Sequence, residues 1–71
     1  MSLTVEIATV PDRAYRVAEI WEGDWMIAEI NNEKGAALTL EVYAPKEGDH
    51  LSVPLDDFIA AIATARDRLA R

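Results

Sequence analysis

The chain has 71 residues, no cysteine and a formal charge of −6, with 13 acidic side chains against 7 basic ones. A single domain of this length buries only about 60% of the surface its unfolded chain exposes, so its margin of stability is thin and self-association is an expected remedy. Disulfides and thiolate metal sites are excluded, and the acidic field opposes phosphate backbones and anionic membranes while attracting basic partners.

Apolar residues make up 51% of the chain and charged residues 28%, the balance of a folded globular domain. No apolar run approaches the ~20 residues that span a bilayer. Met1 to Glu6 lacks the basic start and apolar stretch of a secretion signal, so a cytoplasmic location without membrane contact is expected.

The first element follows from Leu3, Val5 and Ile7 alternating with Thr4, Glu6 and Ala8, the period of a half-buried strand. Val10-Pro11-Asp12-Arg13 ends it, because proline lacks the ladder donor and Pro-Asp starts turns. A second strand runs from about Ala14 to Glu22 and a third from Trp25 to Asn31. Gly23-Asp24 between them suits a two-residue hairpin, with glycine supplying the positive φ that a type II′ turn needs first. Asn31 to Gly35 is a polar connection. Leu38, Leu40 and Val42 alternate with Thr39, Glu41 and Tyr43 in a fourth strand, and Pro45 to Asp49 forms an exposed loop. A short fifth strand is expected over His50 to Val53.

After Pro54 the period becomes helical. Leu55, Phe58, Ile59, Ile62, Ala65 and Leu69 follow its spacing, Asp56 and Asp57 complement the dipole at the start, and Arg66, Arg68 and Arg71 complement it at the end. Short connections make consecutive strands pair as an antiparallel meander. The expected fold is α+β, one domain over residues 1–71: a four- to five-stranded meander sheet with one C-terminal amphipathic helix on one face, ββββ(β)α.

A two-residue turn opposes Trp21 to Met26, Glu19 to Ala28 and Val17 to Ile30. One face then carries Tyr15, Val17, Glu19, Trp21, Met26, Ala28 and Ile30, and is expected beneath the helix. The other carries Arg16, Ala18, Ile20, Glu22, Trp25, Ile27 and Glu29. On that second face Ile20, Trp25 and Ile27, joined by Tyr43, are expected as an exposed apolar interface rimmed by Glu22, Glu29 and Glu41. Leu38, Leu40, Val42, Phe58, Ile59 and Ile62 are expected to fill the core.

No catalytic constellation emerges. Glu19, Glu29 and Glu41 read as a solvated face, with Glu19 and Glu29 on opposite sides of the sheet. His50 is the single histidine and has no nucleophile beside it, and the three glycines are isolated turn residues that make no phosphate cradle. No cofactor and no metal is implied. The leading expectation is a small non-enzymatic protein-binding module, homodimeric, of the kind that inhibits a basic partner protein. The alternative is a single-stranded nucleic-acid binder that uses the sheet of a dimer, with Arg13, Arg16, Lys34 and Trp25 lining the groove. Strands followed by one C-terminal helix resemble the subunit topology of the Whirly-type single-stranded-DNA binders. That family places basic residues on the sheet where this chain has Glu19, Glu29 and Glu41.

Overall fold

The computed structural model describes residues 3–9, 16–32, 37–43, 45, 48 and 50–70. Four strands, β1 (Leu3–Thr9), β2 (Arg16–Glu22), β3 (Trp25–Asn31) and β4 (Thr39–Val42), pair in chain order as an antiparallel meander, and α1 (Leu55–Leu69) packs on one face. The α+β meander with one C-terminal helix is therefore as the sequence implies. The expected fifth strand is not formed: residues 50–53 are irregular, and Leu51 and Val53 pack against the core.

The β2–β3 turn has the expected two residues, since Glu22 pairs with Trp25 and Trp21 with Met26. Gly23 has φ 62°, while Asp24 has no positive φ, which is the pattern of a type II′ turn rather than type I′. Beyond the turn the register shifts by one residue: Ile20 pairs with Ala28, Glu19 with Glu29 and Ala18 with Ile30. Ile27 is the extra residue of a β-bulge, so Ile27 and Ala28 together oppose Ile20. All three belong to the buried core.

This bulge corrects the expected assignment of faces. A regular ladder would have put Glu19 beneath the helix with Ala28 and Ile30, at the cost of burying a carboxylate. The bulge turns Glu19 and Glu29 to the same outer side. Ala18, Ile20, Ile27, Ala28 and Ile30 are left to meet Ala61 and Ala65 of α1. Val17, Glu19, Trp21 and Met26 lie on the far face. Tyr15 is outside the described residues.

The helix starts at Pro54, whose extended backbone (φ −60°, ψ 130°) turns the chain and whose carbonyl accepts from Phe58 N at 3.0 Å. At its other end Arg16 Nη2 donates to the Leu69 carbonyl at 2.9 Å and Arg68 Nη1 donates to the Val5 carbonyl at 2.8 Å. Both bonds hold the helix over β1 and β2. It makes few contacts with β3 and does not reach β4.

Candidate functional site

Four strands about 4.8 Å apart make a floor wider than one helix about 10 Å across. Because α1 is held over β1 and β2, the helix-facing side of β4 is left bare. Leu38, Leu40 and Val42 stand there 48, 43 and 56% exposed, and Leu55 and Ile59 of the helix are 71 and 55% exposed. These numbers correct the expectation that Leu38, Leu40, Val42 and Ile59 fill the core. Only Phe58 and Ile62 of that set pack against it.

Leu55, Ile59, Ile62 and Arg66 recur at four-, three- and four-residue steps, which places them along one flank of the helix. Between this flank and β4 lies an open groove of about 390 Å³, lined by Ile30, Leu38, Thr39, Leu40, Ile62 and Arg66. Its walls are apolar, and Arg66 supplies a charged group. A smaller groove of about 280 Å³ lies on the other flank, where Leu3 and Val5 meet Asp57, Thr64 and Arg68.

The far face of the sheet has a different chemistry. The pairings Glu6–Glu19, Glu19–Glu29 and Glu29–Glu41 set four glutamates side by side across all four strands. Opposed residues share a face, so this row runs unbroken from edge to edge. Asn31, fully buried, donates through Nδ2 to Glu29 Oε2 at 2.9 Å and to Glu41 Oε1 at 3.2 Å, bridging one of the like-charged pairs. Tyr43 Oη donates to Glu29 Oε1 at 2.6 Å and Trp21 Nε1 to Glu19 Oε1 at 3.2 Å. Among the described residues, no group of three or more histidine, aspartate or glutamate side chains is placed to hold a metal ion.

The residues singled out from sequence are thus divided between two faces and the core. Ile20 and Ile27, at 0 and 1% exposure, belong to the core, and Trp25 packs against it. The expected exposed patch of Ile20, Trp25 and Ile27 is corrected by the bulge, which turns this surface under the helix. Tyr43, Glu29 and Glu41 lie on the opposite face and form the hydrogen-bonded network there, so they do not rim those three residues. Glu22 sits on the helix side at the end of β2, with Oε2 buried and without a hydrogen-bond partner. Of the residues named for nucleic acid, Arg13 and Lys34 lie outside the described residues. Arg16 caps the helix, and Trp25 packs on the core. His50 is exposed.

Sequence reasoning missed the groove, and the residues that form it were counted as core. The signal available was quantitative: one 15-residue helix cannot cover four strands that all carry apolar residues on the same side. The chain matches no protein-family model, no curated protein and no solved structure. No helix of the described residues is long and apolar enough to cross a membrane.

Proposed function

We propose that this chain is a non-enzymatic protein-binding module and that the apolar groove between α1 and β4 is its contact surface. The observation that carries the reading is the exposure of Leu38, Leu40 and Val42 on the helix-facing side of β4 and of Leu55 and Ile59 on the groove flank of α1, beside a sheet edge that no other described strand pairs. Five large aliphatic side chains gathered on one side of so small a domain are a cost in water that an interface removes. The anchors of the interface are these five, with Arg66 as its charged margin.

The net charge of −6 favours a basic partner and speeds its approach, in keeping with an inhibitor-like role toward a basic protein. The glutamate row across the far face adds to that field and repels a phosphate backbone, which weighs for protein over single-stranded nucleic acid. Arg16, which a nucleic-acid groove would need, is already committed to the Leu69 carbonyl.

The test compares the wild type with a Leu38→Ser/Ile59→Ser double variant. Self-association is read by light scattering, and partner capture by quantitative pull-down of the same band with both proteins. The expected result is loss of association at unchanged circular dichroism. Equal association of both proteins in every assay would overturn the reading.

A further inference from the structure

We propose that the occupant of the open side of β4 is a second copy of this chain, joined by antiparallel β4–β4 pairing with Leu40 on the two-fold axis. The inference rests on the reading of this region as a contact surface and gives that surface a partner and a register.

The backbone supplies the first argument. Among the described residues β4 pairs with β3 alone, and Tyr43 N donates to the Ile27 carbonyl at 2.9 Å. Along an antiparallel ladder the direction of the backbone groups alternates, so Thr39, Glu41 and Tyr43 turn theirs toward β3. Leu38, Leu40 and Val42 then turn their N–H and C=O groups to the free edge. The opposite edge of the sheet is finished differently, because Arg68 from the helix occupies the Val5 carbonyl at 2.8 Å. Among the described residues no side chain does the same for β4.

The side chains supply the register. A two-fold interface pairs a surface with itself, and opposed residues in an antiparallel pair share a face. A dyad between two residues would oppose Leu40 to Glu41 and mix the apolar and acidic faces. A dyad on Glu41 would bring that glutamate against its own copy at the end of a row that already holds three other glutamates. A dyad on Leu40 opposes Leu40 to Leu40, Leu38 to Val42 and Thr39 to Glu41. Every apolar residue then meets an apolar one and no carboxylate meets another. Leu40 also carries outward backbone groups, as the hydrogen-bonded position of a new ladder requires.

Area sets the strength. The exposed apolar patch that edge pairing can draw on is Leu38, Leu40 and Val42, at 48, 43 and 56% exposure. A standard stable interface buries about 800 Å² from each partner. Edge pairing uses part of that patch, so the dimer is concentration-dependent. Because Leu40 of both copies shares a face, both helices lie on the same side of one continuous eight-stranded sheet. Leu55 and Ile59 of each then form the walls of a shared apolar trough.

The experiment is light scattering from low micromolar to several hundred micromolar protein, with two sets of variants. The wild type is expected to approach twice its 7.9 kDa mass at the high end. Leu40→Arg is expected to remain at the monomer mass throughout, and Val42→Lys serves as a second variant should the first fail to fold. Since the chain has no cysteine, Leu40→Cys can be oxidised only against its own symmetry mate. A Cα separation of about 5.5 Å at a hydrogen-bonded pair is within disulfide reach. Leu40→Cys should cross-link to a covalent dimer, at least ten-fold more than Glu41→Cys, which opposes Thr39. A wild type that stays monomeric overturns the second copy as occupant, and the groove reading is then decided by the partner-capture comparison. A dimer that ignores Leu40→Arg but dissociates with Ile59→Glu overturns β4 pairing and keeps the groove. A dimer that ignores all of these substitutions overturns both.

Discussion

Over β1 and β2, the helix-side residues Val5, Ile7, Ala18 and Ile20 pack beneath α1, and an arginine from the helix occupies a carbonyl of the outer strand. Over β4 the same side of the sheet carries Leu38, Leu40 and Val42, which face water beside an edge that no other described strand pairs. The difference does not lie in hydrophobicity, because the bare half has the larger side chains. It lies in where the helix is held. Ala18 on β2 and Ala28 on β3 belong to one buried cluster with Ala61 and Ala65 of the helix, and these small residues let the two layers approach closely on the side of the sheet away from β4. Arg16 and Arg68 then fix the C-terminal end of α1 on that side. A small domain with one helix has to choose which strands to cover, and the uncovered ones define its surface chemistry.

Truncation in the two halves measures this contrast most directly. Ile20→Ala removes a fully buried side chain from beneath the helix and is expected to cost about 2–4 kcal/mol, a large share of what a domain this small can have. Leu40→Ala removes a side chain already 43% exposed and should cost less than about 1 kcal/mol in the monomer. Urea unfolding at low protein concentration checks both, and equal costs would mean that the groove is closed in solution.

The contrast reverses on the far face. There the β3–β4 half is the organised one, because buried Asn31 bridges Glu29 and Glu41. Asn31→Ala leaves two opposed carboxylates without their shared donor and is expected to cost about 1–3 kcal/mol. Tyr43→Phe, which also removes a donor to Glu29, should cost more in the Asn31→Ala background than in the wild type, because Glu29 then loses both of these donors. A strictly additive cycle would show that the network acts as independent bonds.

Arg68→Ala tests whether the β1 edge is protected by the helix. The lost bond is exposed and should lower stability by about 1 kcal/mol or less. The sharper readout is association. With the Val5 carbonyl released, the variant should gain self-association that persists when Leu40→Arg has disabled β4. No gain in that double variant would mean that the β1 edge is shielded by the helix body alone.

The elements themselves were legible because each has a local cause. Alternation marked β1 and β4, Gly23 marked the hairpin, and the change of period after Pro54 marked α1. The register beyond the hairpin was not, because it depends on a bulge that no turn residue signals. The trace it leaves is the Ile27-Ala28 doublet, which breaks the alternation of β3, together with a glutamate in each of β1, β2, β3 and β4 (Glu6, Glu19, Glu29 and Glu41) that only a one-residue shift brings onto a common face. The candidate site was less legible still. Arg16 and Arg68 read as ordinary charged residues until the fold brings each to a carbonyl more than fifty positions away. Without those tethers there is no way to see which strands the helix leaves bare.

The smallest expected effect concerns the like-charged pair in the β1–β2 half. Glu6 and Glu19 oppose each other directly, and no described residue donates to both as Asn31 does for Glu29 and Glu41. Like charges opposed across strands destabilise by about 0.2–1 kcal/mol, and screening reduces the effect. Glu6→Gln keeps the side chain's length and removes the repulsion, so it should raise stability by a few tenths of a kcal/mol at low salt. Added salt relieves the same repulsion in the wild type, so the two unfolding midpoints should converge as ionic strength rises. A gain that salt leaves intact would assign the effect to strand propensity at position 6, and the glutamate row would then be electrostatically inert in this half of the sheet.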